Sequence, residues 1–219
     1  MSIIQGLIDF ILHIDEHLVD IIQQFGAWSY GILFSIVFVE TGIVIMPFLP
    51  GDSLLFASGT LAALGAFNLL TLLIVFFVAA VLGDTVNYQI GKTVGTSIPE
   101  GSFLGRVINR ERMEIAQNFF NKHGGKTIVM ARFMPFIRTF IPFVAGASRM
   151  DYKYFLIYNV VGAFLWVMSC TLIGYFFGNI PIIKDNFSTV LILIIFISIL
   201  PAIIGAVRAK LSKDKTPSK

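Results

Sequence analysis

The stretch from Thr127 to Met150, TIVMARFMPFIRTFIPFVAGASRM, restricts the fold of this chain more than any other. It is apolar enough to enter a bilayer, yet it carries Arg132, Arg138, Pro135 and Pro142. Proline lacks the N–H that a regular helix needs and clashes with the preceding turn. One straight helix is therefore not expected; a broken or re-entrant hairpin is. Such backbone is tolerated at membrane depth only where it is buried in protein or lines a wet cavity. An arginine near the bilayer centre costs roughly 2.5–3.5 kcal/mol on insertion scales. Two of them in one short segment call for an anion, and a phosphate that crosses or sits within the membrane is the natural one.

Composition fixes the class. Of 219 residues, 56% are hydrophobic and only 13% are charged, and the mean hydropathy is +0.84. Soluble domains carry about 25% charged residues. A single polytopic membrane domain is expected. Cys170 is the sole cysteine, so no intramolecular disulfide can form, and it reads as a small buried hydrophobe. The net charge of +3 comes from loops and the C-terminus. It bears on topology, not on nucleic acid. No Lys or Arg precedes Lys92, so no cationic signal-peptide n-region is expected.

Along the chain, residues 2–25 read as an amphipathic surface helix. Ile4, Leu7, Ile11, Ile14, Leu18, Ile21 and Phe25 recur at helical spacing, with Asp9, His13, Glu16, His17 and Asp20 largely elsewhere. His13 and His17 have a spacing that could hold a metal. Their acidic neighbours make a solvated face the expectation, and no metal site is assigned. A span follows at 28–46, with Glu40 well inside it. Pro47, Pro50 and Gly51 then break the chain, and Asp52 or Ser53 can cap a short apolar helix. Residues 47–66 are read as a first re-entrant hairpin. A second span covers 69–90 and carries Asp84, Asn87 and Tyr88 toward its end.

Loop 91–126 is the longest polar stretch. The second hairpin follows at 127–150, then spans at 154–177 and 188–207 and a tail at 208–219. Loop 91–126 and the tail hold most of the Lys and Arg, whereas 47–68 has none and 179–187 has only Lys184. The positive-inside rule then puts both termini in the cytoplasm. Hairpin 1 would dip in from outside and hairpin 2 from the cytoplasm. That is an inverted repeat, a plan transporters use around a site near the midplane. The only echoes noted are Tyr88-x-x-Gly91 and Tyr175-x-x-Gly178, too faint to establish it. The expected architecture is an all-α multi-pass bundle with two re-entrant helical hairpins and an N-terminal amphipathic helix.

Glu40, Asp52, Arg132 and Arg138 are each costly in lipid, so each should face an interior and find a partner. Static ion pairs that fix hairpin packing are one reading. Against it, desolvation can exceed attraction in a buried pair. The functional reading has Arg132 and Arg138 binding a phosphate, because guanidinium binds its oxygens bidentately. Glu40 and Asp52 would carry protons. Burial disfavours a carboxylate and a nearby arginine favours it, so a phosphate that occupies the arginines alters how easily the acids protonate. Asp84, with Asn87 and Tyr88, is a secondary candidate expected near a hydrated interface. Arg149 and Asp151 read as a local pair, and Trp166 as buried packing. No P-loop, HExxH or Cys/His cluster is present. No Ser/His/Asp order stands out, and His123 is a poor nucleophile candidate. No cofactor and no enzymatic activity are expected.

Phe48-Leu49-Pro50-Gly51-Asp52 with upstream Glu40, Gly83-Asp84 before Asn87-Tyr88, and Ala131-Arg132-Phe133-x-Pro135-x-x-Arg138-Thr139-Phe140-x-Pro142-Phe143-x-Ala145-Gly146 resemble the DedA family of bacterial inner-membrane proteins. The resemblance runs from the N-terminal helix to the last span. It implies two re-entrant hairpins in an inverted repeat. It implies lipid-carrier transport, most directly the flipping of undecaprenyl phosphate across the inner membrane for reuse, dependent on the proton or sodium gradient. The family's acidic pair and arginine pair fall on Glu40, Asp52, Arg132 and Arg138. The partners implied are a polyprenyl-phosphate or phospholipid substrate, protons or sodium, and the bilayer; homo-oligomerisation is left open. The alternatives are a phospholipid flippase or scramblase, a proton-coupled antiporter for cations or drugs, a lipid phosphatase, and a scaffold.

Overall fold

The computed structural model describes residues 25–43, 51–94, 118, 120, 122–134 and 137–185. Nearly all of the amphipathic helix expected at 2–25, the breaker prolines Pro47, Pro50 and Pro135, most of loop 91–126, the expected span at 188–207 and the tail lie outside the described residues. So do the expectations that rest on them, including the orientation of the termini.

Among the described residues the secondary structure is entirely helical. Helix α1 is Ala27–Gly42, α2 Gly51–Ala63, α3 Leu69–Val94, α4 Lys126–Ala131, α5 Phe140–Ala147, α6 Tyr152–Gly178 and α7 Pro181–Asp185. Helices α3 and α6, with 26 and 27 residues, are long and apolar enough to cross a membrane. At 1.5 Å per residue each reaches about 40 Å, more than the ~30 Å hydrocarbon core. Leu70, Ile74, Val78, Leu82 and Val86 recur every fourth residue on α3 and are all exposed. Such a continuous apolar stripe fits lipid better than water.

The ends of the elements have local causes. Gly65, at φ 84°, closes α2: Ala66 N–H donates to Leu61 O at 3.0 Å and Gly65 N–H to Ala62 O at 3.1 Å. That is the left-handed cap that glycine adopts at least cost. Asn68 Oδ1 then accepts from Thr71 N–H at 3.0 Å and opens α3. The same cap closes α5, but there the left-handed residue is Arg149, at φ 55°. Asp151 caps α6 by accepting from Tyr154 N–H at 3.1 Å. The expected Arg149–Asp151 pair is not found among the described residues; both residues serve helix ends instead. Pro142 is also corrected. It lies in the first turn of α5, where an N–H has no intrahelical acceptor to lose. Helix α4 ends at Ala131 and α5 begins at Phe140, so the break between them lies upstream of Pro142. Two expected loops also shorten: α3 runs on through Lys92, and α7 occupies most of 179–187.

Helix α1 packs on α3, and each shorter helix packs on the long helix of the other half: α2 on α6, and α5 on α3. Glycines permit both contacts. A Cβ at Gly59 would run into Thr171 O, and one at Gly174 into Phe56 O. In the second contact, a Cβ at Gly146 would run into Tyr88 O, and one at Gly91 into Phe143 O. In all four cases the blocking carbonyl lies three residues before the glycine's partner, so the two contacts follow one rule.

Two apolar clusters result. One gathers Leu33, Val37, Leu55, Leu72, Phe76 and Trp166; the other gathers Tyr88, Ile128, Phe140, Phe143 and Phe155. The first takes the N-terminal half of α3 and the C-terminal half of α6, and the second takes the opposite halves. The two long helices are therefore antiparallel. Between the clusters lie buried polar residues: Glu40, Thr41, Asp84, Asn87, Arg132, Thr139 and Asn159.

Candidate functional site

Arg132 follows α4 directly and projects between the two long helices. Its Nη2 donates to Asp84 Oδ2 on α3 at 2.5 Å and to Asn159 Oδ1 on α6 at 2.6 Å. A longer contact of 3.3 Å reaches Ala80 O. Asn159 is held in turn by donating from Nδ2 to Val81 O at 3.0 Å. Gly162 leaves room for the arginine, because a Cβ there would press on Arg132 Cδ at 3.1 Å and Nε at 3.2 Å. Arg132, Asp84 and Asn159 are all buried.

Arg138 lies in the turn before α5 and joins α1 to α2. Its Nη2 donates to Glu40 Oε1, and its Nη1 to Asp52 Oδ1 at 3.0 Å. Glu40 Oε1 also accepts from Gly51 N–H, the first residue of α2, at 3.2 Å. A carboxylate at a helix N-terminus is favoured by the helix dipole. Any Cβ at Gly51 would collide with that carboxylate, which explains glycine at the first position of α2. The two acids differ sharply in exposure: the Glu40 side chain is 1% exposed and that of Asp52 48%.

Trp166, at the middle of α6, connects the two arginine sites. Its ring centroid is 5.2 Å from Arg138 Cζ and 5.9 Å from Arg132 Cζ, within cation–π range. Its indole N–H donates to Asp52 Oδ1 at 2.7 Å. Asn87 fixes the frame. Its Nδ2 donates to Thr139 O at 2.7 Å and to Thr41 O at 3.1 Å, tying α1 and the arginine turn to α3. A cavity of about 10 Å³, lined by Thr41, Asp84, Arg132, Arg138, Thr139 and Trp166, lies at the centre. It has room for roughly one water molecule.

The charged candidates named from sequence thus fall into two groups. Glu40, Asp52 and Arg138 meet directly, and Arg132 pairs with Asp84. Trp166 and the shared cavity make these one site, not two. Asp84 is not at a hydrated interface: it is 5% exposed and neutralises a buried arginine. Asn87 positions backbone. Tyr88 lies away from the cavity, with its ring stacked on Phe155 at 4.5 Å and its hydroxyl donating to Met150 O. Trp166 is buried as expected but is more than packing. Asn159, Thr41 and Thr139 were not singled out. Asn159 had a usable signal, since an amide is conspicuous within the apolar run 154–177. The two threonines had none, because threonine can satisfy its own hydroxyl on a helix, as Thr41 does on Val37 O at 2.9 Å.

Long apolar helices around a buried arginine–carboxylate layer define a helical membrane protein with a polar internal site. The chain belongs to the VTT-domain family, whose profile matches residues 49–176, and is a near relative of DedA. It is 48% identical to the protein DedA of Escherichia coli K12 over 212 residues, 96% of each chain. An uncharacterized membrane protein of Mycobacterium leprae is 42% identical, covering 83% of this chain and 81% of its own. The inner membrane protein YqjA of E. coli is 35% identical over 70% of this chain and 69% of its own. No solved structure gives a significant match.

Proposed function

We propose that this protein is a membrane lipid transporter that flips a polyprenyl phosphate, most directly undecaprenyl phosphate, across the bacterial inner membrane, with protons or sodium ions as the coupling species. The observation that carries the reading is the shared engagement of Arg138 by Glu40 and Asp52. A guanidinium held by two carboxylates has the geometry to hold two oxygens of a phosphate instead. An anion entering there competes with the acids, and an acid that loses its arginine inside an apolar core favours its neutral form. Headgroup binding and cation uptake are then one exchange. Arg132 keeps a second positive charge beside the first, and the prenyl chain remains in lipid against the exposed apolar stripes.

In this reading the interrupted segments at 47–66 and 127–150 re-enter the membrane as an inverted repeat, with both termini cytoplasmic. The reciprocal glycine contacts and the antiparallel long helices support that arrangement. The chain acts without chemical conversion of its substrate.

Native mass spectrometry of the purified protein with undecaprenyl phosphate, phosphatidylglycerol and phosphatidylethanolamine tests the site. Selective binding of the polyprenyl phosphate, lost in Arg132→Ala and Arg138→Ala, is the expected result. Equal binding of all three lipids, unchanged in both variants, would contradict it.

A further inference from the structure

Two donors in this site have no acceptor among the described residues: the Thr139 hydroxyl and Arg132 Nε. Thr139 is 1% exposed and lines the central cavity with Arg132 and Arg138. Its position is not free to drift, because Asn87 holds its carbonyl at 2.7 Å. A buried polar group without a partner is costly, so such groups ask for an explanation. Threonine could have spent its hydroxyl on a carbonyl within its own turn, as Thr41, Thr60 and Thr85 do. Thr139 does not.

Resting on the reading of the site as a phosphate-headgroup site, we propose that Thr139 is a headgroup ligand that selects phosphate monoesters over diesters. A monoester presents three unesterified oxygens and a diester two. Arg138 offers two N–H groups that now serve Glu40 and Asp52. These match two oxygens, and they match a monoester and a diester alike. The third oxygen needs a further donor at the same cavity. Thr139 is the residue beside Arg138 in sequence and carries a donor not committed elsewhere. A hydroxyl both donates and accepts, so it also suits a singly protonated monoester, whose P–OH must find an acceptor. A diester leaves the hydroxyl with nothing to bond and gains nothing from it.

Competition binding in detergent by native mass spectrometry tests this, with undecaprenyl phosphate and phosphatidic acid as monoesters and phosphatidylglycerol as the diester. The comparison is wild type, Thr139→Val, Thr139→Ser and Arg138→Ala. Thr139→Val keeps the side-chain shape and removes the hydroxyl. It is expected to lower the monoester-to-diester preference about tenfold, the size of one hydrogen bond to a charged group. Thr139→Ser restores the donor and is expected to restore the preference, which loss of folding would not allow. If Thr139→Val keeps the wild-type preference while Arg138→Ala loses headgroup binding, the proposal fails and the headgroup site stands. If Thr139→Val and Thr139→Ser fall equally, the hydroxyl is not the cause and the proposal fails. If Arg138→Ala binds as wild type does, the headgroup reading fails and the proposal with it. A preference that persists in Thr139→Val because water in the cavity supplies the third donor counts with the first failure.

Discussion

Arg132 and Arg138 stand six residues apart but in different settings. Arg132 is sealed between α3 and α6, and its partner Asp84 is sealed with it. Arg138 shares itself between a sealed acid and a half-exposed one. Removing one partner of a buried ion pair leaves an uncompensated charge and costs about 3–5 kcal/mol. A half-exposed pair is screened and is worth roughly 0–1 kcal/mol. Asp84→Asn is therefore expected to lower the thermal stability of the detergent-solubilised protein far more than Asp52→Asn. Equal shifts for the two would mean that Asp84 is better hydrated than its burial indicates. The presence of these residues was legible in the sequence, since a charge in an apolar run is expensive whatever the fold. Their pairing was not. Asp84, rather than Glu40 or Asp52, meets Arg132 because α3 and α6 are antiparallel neighbours with the arginine between them. Among the neutral contributors only Asn159, an amide in an apolar run, gave a warning; Trp166 and Thr139 are ordinary in a membrane segment.

The short helices α2 and α5 are the elements that define the architecture. Each meets a long helix through a pair of glycines whose added Cβ atoms would strike backbone carbonyls, which cannot swing aside as a side chain can. Overpacking of this kind costs about 1–3 kcal/mol. Gly59→Ala and Gly146→Ala are both expected to lower the melting temperature, measured in the same detergent. Gly31→Ala is expected to be neutral or slightly stabilising, because nothing lies within 4 Å of its added Cβ and alanine favours a helix over glycine by about 1 kcal/mol. A melting curve for Gly59→Ala identical to wild type would show that α2 and α6 can separate freely. The sequence carried a trace of this symmetry in Phe56-x-x-Gly59 and Phe143-x-x-Gly146, which hold equivalent places in the two contacts, the first against α6 and the second against α3. The tyrosine–glycine echo was matched differently: Gly91 faces α5, but its counterpart across the molecule is Gly174, not Gly178. Two residues in a row of four are too few to reveal a repeat without knowing which faces touch. Pro142 misled for a related reason. A proline breaks a helix only in the interior, and the sequence did not say that a helix begins two residues before it.

At the scale of the molecule, a polar layer divides two apolar clusters, and the outer faces of α3 and α6 remain apolar. Membrane class was evident from composition. The position of the layer depends on where each helix starts relative to the others. In the proposed function a phosphate headgroup and Glu40 with Asp52 exchange for one arginine, so that lipid movement and ion movement are linked. The direct measurement is translocation of undecaprenyl phosphate in proteoliposomes, with and without an imposed pH gradient or sodium gradient, for wild type, Glu40→Gln and Arg138→Ala. Glu40→Gln is expected to lose its response to the gradient, and Arg138→Ala to lose translocation at least tenfold, the effect of about 1.4 kcal/mol. Translocation by Arg138→Ala at the wild-type rate, with the gradient response intact, would contradict the exchange.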